Sequence, residues 1–216
     1  VLVFPTAAKT WVYDASTGAW HERAGWDNQW TRYRAQTQVF YNNENLVGDY
    51  ENGNLYALDL NNYDYNGEVQ RWLRSWRALP TGQNNLTRTA QHALQLDCET
   101  GVGLEQYPGY DAEDLTAEDG AILIAEDGSI LTTTSYSAAP GYDPQAMLRW
   151  SDDGGHTWSN EHWRSMGKIG QYGYRTIWRR LGMTMKIRDR VYEVSGTDPV
   201  KIAIMGAELQ ISGTNA

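Results

Sequence analysis

Residues 94–99, Leu94-Gln95-Leu96-Asp97-Cys98-Glu99, alternate apolar with polar side chains at every step. Side chains of an extended strand point to opposite faces in turn, so Leu94, Leu96 and Cys98 share one face, and Gln95, Asp97 and Glu99 the other. The same period returns where Met183, Met185 and Ile187 alternate with Thr184, Lys186 and Arg188. It returns again where Val200, Ile202 and Ile204 alternate with Lys201, Ala203 and Met205. No run of roughly ten to twelve residues sustains a helical period. The chain therefore reads as all-β, built from half-buried strands.

Between these runs stand Ser16-Thr17-Gly18, Asn52-Gly53, Asn66-Gly67, Asp127-Gly128 and Asp153-Gly154-Gly155. Each supplies residues that tolerate positive φ, which tight hairpins require. Trp11-Val12-Tyr13-Asp14 followed by Ala19-Trp20 is loosely echoed by Leu55-Tyr56-Ala57-Leu58-Asp59. A second echo is Leu148-Arg149-Trp150-Ser151 with Trp158. Strand, acidic or hydroxyl residue, polar turn and next strand is how one blade hairpin follows another, so propeller-like blades of antiparallel sheet are the expected architecture, with a β-sandwich as the alternative. Residues 1–216 are read as a single all-β domain or a partial propeller. Residues 104–143 are read as an acidic surface insertion carrying a hairpin, with strands over 121–125 and 129–134 around Glu126-Asp127-Gly128.

Composition narrows the classes of function. A chain of 216 residues is long enough to bury roughly 70% of its unfolded surface without staples. Its single cysteine, Cys98, allows no intrachain disulfide and sits on the inward face of a strand, where a small buried thiol is usual. No stretch reaches the roughly 18 apolar residues of a membrane span, and the N-terminus lacks the regions of a signal peptide, so a soluble protein made in the cytosol is expected. The chain begins at Val1, already in a strand pattern, and is expected to be a fragment, a processed product or an excised domain.

The net charge of −9 is unevenly spread: nine acidic residues and no Lys or Arg lie between Glu99 and Asp127, and eight basic residues face Asp189 alone between Arg164 and Arg190. One region repels nucleic acid and the other has the sign to attract it, while the total is not that of a DNA-binding module. Ten tryptophans and fourteen tyrosines against two phenylalanines suit sheet edges and protein interfaces, because each ring joins an apolar body to a polar handle.

Ser151-Asp152-Asp153-Gly154-Gly155-His156-Thr157-Trp158 fits the Asp-box pattern Ser-x-Asp-x-Gly-x-Thr-Trp. Ser151, Asp153, Gly155, Thr157 and Trp158 are assigned to a structural turn in which Asp153 accepts loop N–H groups, Gly155 takes a restricted backbone conformation and Trp158 packs beneath. The pattern resembles the hairpins of sialidase-like propellers. Arg175, Arg179, Arg180, Tyr172 and Tyr174 would be the raw material of a substrate clamp there, but Arg179 and Arg180 are adjacent on a strand and should face opposite sides. The sequence holds no His-Glu-x-x-His, zinc-spaced Cys or His pair, phosphate loop or Gly-x-Ser-x-Gly elbow. A non-enzyme without catalytic residues, metal or cofactor is expected. His21, His92, His156 and His162 are scattered, and Asn85-Leu86-Thr87 matches a glycosylation sequon.

Four stretches, in order, resemble the packaged-DNA stabilisation (tail nozzle) proteins of short-tailed bacteriophages. They are Val47-Gly48-Asp49-Tyr50-Glu51-Asn52-Gly53-Asn54-Leu55-Tyr56; Leu94 to Gly103; Asp143-Pro144-Gln145 through to Trp163-Arg164-Ser165-Met166-Gly167-Lys168-Ile169-Gly170; and Arg175 to Gly182 with Arg190-Val191-Tyr192-Glu193-Val194 and Asp198-Pro199-Val200-Lys201. The resemblance runs from about residue 45 to 210, corresponds to the C-terminal half of such proteins, and is weakest between Gly103 and Asp143. It implies a virion protein of the tail, synthesised in the bacterial host cytoplasm, forming a ring of six that extends the portal and adaptor channel. It further implies retention of packaged DNA and docking of tailspikes and a central needle, with DNA passing nearby without sequence-specific binding. Arg164, Lys168, Arg175, Arg179 and Arg180 are the candidate interface residues.

Overall fold

The computed structural model describes residues 1–77, 88–104, 117, 121–126, 140–184 and 190–213. Among these residues all regular structure is β: β1 (Leu2–Phe4), β2 (Lys9–Asp14), β3 (Ala19–Trp26), β4 (Trp30–Arg32), β5 (Ala35–Tyr41), β6 (Glu44–Asp49), β7 (Leu55–Ala57), β8 (Trp72–Arg77), β9 (Thr89–Cys98), β10 (Gln145–Ser151), β11 (His162–Ser165), β12 (Thr176–Arg179), β13 (Val191–Gly196) and β14 (Ile204–Gly213). Every strand pairing is antiparallel. The strands fall into two compact units, residues 1–71 and residues 72–216.

In the first unit the strands follow one another in chain order, β1-β2-β3-β4 and β5-β6-β7. Short polar turns make this meander. Asp14 closes the β2–β3 turn with its own carboxylate, accepting from the Ser16 amide at 2.9 Å, the Ser16 hydroxyl at 2.7 Å and the Thr17 hydroxyl at 2.9 Å. Asn42 and Asn43, at φ +48° and +63°, form the two-residue turn between β5 and β6, and Asn66-Gly67 does the same between the bridged residues Tyr65 and Glu68. Asn52-Gly53 works differently: the Asn54 amide donates to the Asn52 side chain at 2.9 Å, an Asx turn in which Gly53 has no positive φ. Of the three loosely repeated segments, 11–20 and 148–158 open hairpins, whereas Leu55–Asp59 ends at an edge strand whose turn is held by Asp59 accepting from the Asn61 amide.

The second unit has the other expected architecture, a two-sheet β-sandwich. Its sheets run β11-β10-β13-β8 and β12-β9-β14, orders in which, the β10–β11 hairpin apart, sequence neighbours are separated, unlike the sequential blades of a propeller. Leu94, Leu96 and Cys98 from β9 and Trp178 from β12 meet Ala146 and Leu148 from β10 and Tyr192 and Val194 from β13 in one buried cluster. The alternation at 94–99 thus supplies one wall of the core, and burial pushes the Cys98 thiol up. Gly196 is required where β13 passes Trp72, since a Cβ there would stand 2.6 Å from the indole nitrogen.

The alternation at 183–188 is not observed as read. Met183 is 42% exposed and Thr184 only 3%. The reason is a polar bond: the Thr184 hydroxyl accepts from the Thr89 amide at 3.0 Å, and the Thr184 amide donates back to the Thr89 carbonyl. Residues 185–189, the hairpin read at 121–134 beyond Glu126, and most of the insertion read at 104–143 lie outside the described residues.

Truncating the core separates this sandwich from its surface. Leu148→Ala is expected to cost about 2–5 kcal/mol, the range for emptying a buried leucine site. Met205→Ala, at a side chain of the same unit that is 73% exposed, should stay within about 0.5 kcal/mol. Urea denaturation of both variants checks the assignment, and equal losses would refute it.

Candidate functional site

β10 ends at Ser151, which is buried, and the next seven residues fold back through their own side chains. The Ser151 hydroxyl donates to Asp153 at 2.6 Å and accepts from the Gly155 amide at 2.8 Å. Asp153 also accepts from the His156 amide at 2.9 Å, the Thr157 amide at 2.9 Å and the Thr157 hydroxyl at 2.7 Å. Gly154 and Gly155 stand at φ +77° and +105°, where a Cβ is strained. Hydrogen bonds from the Ser151 and Thr157 hydroxyls, then from the backbone, hold the Asp153 carboxyl well below the usual carboxylate range. The same chemistry, led by Ser16, lowers Asp14 to about 2.

The turn is anchored from below by two arginines. The Arg149 guanidinium lies 4.6 Å from the Trp158 ring centroid and donates to Glu193 of β13 at 2.5 Å. Arg190, 2% exposed, grips Asp152 with both ends of its fork, Nε to Oδ1 at 2.6 Å and Nη2 to Oδ2 at 2.9 Å. Two further donors reach the carbonyls of Leu181 at 2.7 Å and Met183 at 3.0 Å. Burial opposes the charge of Arg190, but the hydrogen bonds to Asp152 and Tyr192 outweigh it and raise the guanidinium pKa. The charge count of the sequence places Arg190 in a basic surface stretch; nothing in residue order reveals that Asp152, an unspecified position of the turn pattern, is its partner.

Arg190 thereby fixes the chain just after β12, where the candidate residue Arg180 lies. The edges of the two sheets, β11 and β12, are laced together: the Trp178 indole donates to the His162 carbonyl at 2.7 Å, the Thr176 hydroxyl to the Ser165 carbonyl at 3.1 Å, and Arg164 Nε to the Ile177 carbonyl at 3.3 Å. Above this seam is a groove of about 270 Å³, walled by Arg164, Arg179, Arg180, Trp163 and His162. Arg180 does not continue the strand: its φ is +62°, so the strand geometry behind the opposite-face expectation does not extend to it, and both Arg179 and Arg180 are among the residues lining the groove. Arg175 is exposed ahead of β12 and Lys168 reaches over the Tyr142 ring at 5.1 Å; neither is among the groove's lining residues. Tyr172 and Tyr174 do not line it either.

Among the described residues no group of three or more His, Cys, Asp and Glu is placed to hold a metal ion. None of the described residues forms a helix long and apolar enough to cross a membrane. The groove's lining combines Arg164, Arg179 and Arg180 with Glu161 and the rings of Trp150, His162, Trp163 and Trp178.

Three outcomes follow from this geometry. Gly155→Ala should lose about 1–3 kcal/mol through backbone strain, because its Cβ would make only ordinary contact with Trp158 at 3.8 Å. Asp153 and Asp14, with folded pKa values below the 3.8 of a free carboxyl, contribute stability that is complete above that value and lost as pH falls through the folded one. Asp153→Asn should therefore lower the melting temperature at neutral pH and flatten its decline below about pH 4, as thermal scans across pH would show. Arg190→Met should cost about 3–5 kcal/mol by urea denaturation, since it removes the buried member of the ion pair and leaves the Asp152 carboxylate, 19% exposed, and the Leu181 and Met183 carbonyls without their donor; a loss under about 1 kcal/mol would mean the pair is dispensable.

No curated protein matches the chain. A family model described as "Bacteriophage P22 Gp10, beta-sandwich" matches residues 112–212, a little under half of the chain. The match begins inside the stretch read from sequence as least family-like, and takes in the Asp153 turn, the Arg190 anchor and the groove. Through strands β10 to β14 the chain is thus similar to the β-sandwich of a bacteriophage protein.

Proposed function

We propose that this chain is a structural component of a short-tailed phage tail, working by fit to its neighbours rather than by turnover. The observation that carries the reading is the family-model match over 112–212. The fold supports it: a sandwich whose turns and edges are fixed by internal hydrogen bonds suits a permanent part of an assembly. An anion-attracting groove and exposed aromatic rings offer contact surfaces of the kind interfaces favour. In the finer form of the proposal, copies form a ring of six that extends the portal and adaptor channel, retains packaged DNA and receives tailspikes and needle. A net charge of −9 suits a wall past which DNA slides without sticking. The groove arginines are the proposed contact to a neighbouring subunit or tail protein; Arg175 and Lys168 are proposed for the same surface outside the groove. No cofactor enters this role, and the protein's place is the virion after synthesis in the host cytoplasm.

One observation favours a second reading, a carbohydrate- or receptor-binding surface. In the first unit Phe4, Trp11, Tyr13 and Trp20 are all 38% or more exposed. Register puts Trp11 opposite Leu2, and Tyr13 opposite Trp20, on one face of the β1–β3 sheet. A glycan array with the intact chain separates the readings.

The direct test is assembly with the protein left out. Particles lacking it should package DNA and then lose it, with heads emptied on purification. Heads that keep their DNA and mature normally would overturn the reading.

A further inference from the structure

We infer that the groove between β11 and the end of β12 is a recognition notch for a carboxylate-bearing segment of a partner protein. The inference rests on the reading of this chain as an assembly component and names the partner chemistry of that surface. Three features converge. First, Arg164, Arg179 and Arg180 all line one groove of about 270 Å³. Arg164 donates to the main-chain carbonyls of Ile177 and Trp163, which fixes its fork in place. Among the described residues no ion pair joins Arg179 or Arg180 to a carboxylate. Planar forks of this kind bind carboxylates through paired, charge-assisted hydrogen bonds.

Second, the convergence is imposed by the backbone. Consecutive strand residues point apart, and Arg179 and Arg180 share the groove because Arg180 adopts φ +62°. A left-handed arginine is an unfavourable state that persists only where its surroundings enforce it. Here they do: the Arg180 amide donates to the His92 carbonyl at 2.7 Å, and Arg190 holds the next carbonyl, that of Leu181. Third, Trp163, 51% exposed, stands beside the arginines, and exposed Trp with Arg is the pairing enriched at the energetic centres of protein interfaces.

Charge decides the class of occupant. A nucleic acid needs an extended basic track, but this groove is small, includes Glu161 in its wall, and belongs to a chain of net charge −9. A short acidic peptide segment meets the three forks without that repulsion being repeated along a strand of phosphates.

The test is fluorescence anisotropy of the full chain with a fluorescein-labelled peptide of alternating glutamate and aspartate. A glutamine and asparagine peptide of equal length and a single-stranded oligonucleotide serve as comparisons. The acidic peptide should bind, weaken steeply as salt rises from about 50 to about 500 mM, and lose roughly tenfold or more in affinity in Arg179→Glu. Arg180→Gly provides the folding control, since glycine accepts the left-handed backbone while removing the guanidinium: its unfolding midpoint should be no lower than that of the parent, and its peptide affinity should fall. Arg175→Glu, outside the groove, should bind as the parent does. Peptide affinity unchanged in Arg179→Glu and Arg180→Gly would overturn the proposal, as would tighter binding of the oligonucleotide. Either failure leaves the DNA-retention test of the tail reading standing, so the two are separable.

Discussion

The fork of Arg190 on Asp152 is the constraint from which the rest of the second unit follows. A guanidinium 2% exposed is tolerable only if all its donors find acceptors, because an unpaired buried charge costs several kcal/mol. Four of its five N–H groups are accounted for, two on Asp152 and two on the carbonyls of Leu181 and Met183. One side chain at the start of β13 therefore positions both the turn after β10 and the segment after β12. That segment in turn pairs with β9: the Gln91 amide donates to the Gly182 carbonyl at 2.8 Å and the Thr184 amide to the Thr89 carbonyl at 3.0 Å. The two sheets are thus joined by a polar network at one end and by the Leu94, Leu148, Trp178 and Val194 cluster between them.

Rigidity reaches the surface through the same links. Asp153 satisfies the turn's amides internally, and Arg149 ties Trp158 to Glu193. The groove arginines stand on a laced seam rather than on a loose loop, so little ordering is left to a partner when it docks. That is the physical content of the proposed assembly role: prepared surfaces lower the entropic cost of association.

The all-β class was legible because alternation at 94–99 reports burial directly, and the Ser151–Trp158 turn because its bonds are local in sequence. What was hidden depends on distance along the chain. The loose hairpin repeat pointed toward blades, yet β9 pairs with β12 and β14 rather than with its sequence neighbours, and no local pattern encodes that crossing. Thr184 displaced Met183 from the interior because a hydroxyl bonded to Thr89 outweighed apolar alternation. Strand geometry places Arg179 and Arg180 on opposite faces; Arg180 leaves the strand at φ +62°, held by its amide's bond to the His92 carbonyl and by Arg190 on the Leu181 carbonyl, bonds that no spacing rule contains.

Amide hydrogen exchange on Arg190→Met, read residue by residue against the parent chain, tests the central role of this network most directly. The account predicts that exchange accelerates first at the amides of Arg180, Thr184 and Gln91, while those of Leu94 and Val194 in the sandwich centre stay protected. Uniform acceleration across both sheets, or none after β12, would show that Arg190 does not organise this end of the fold.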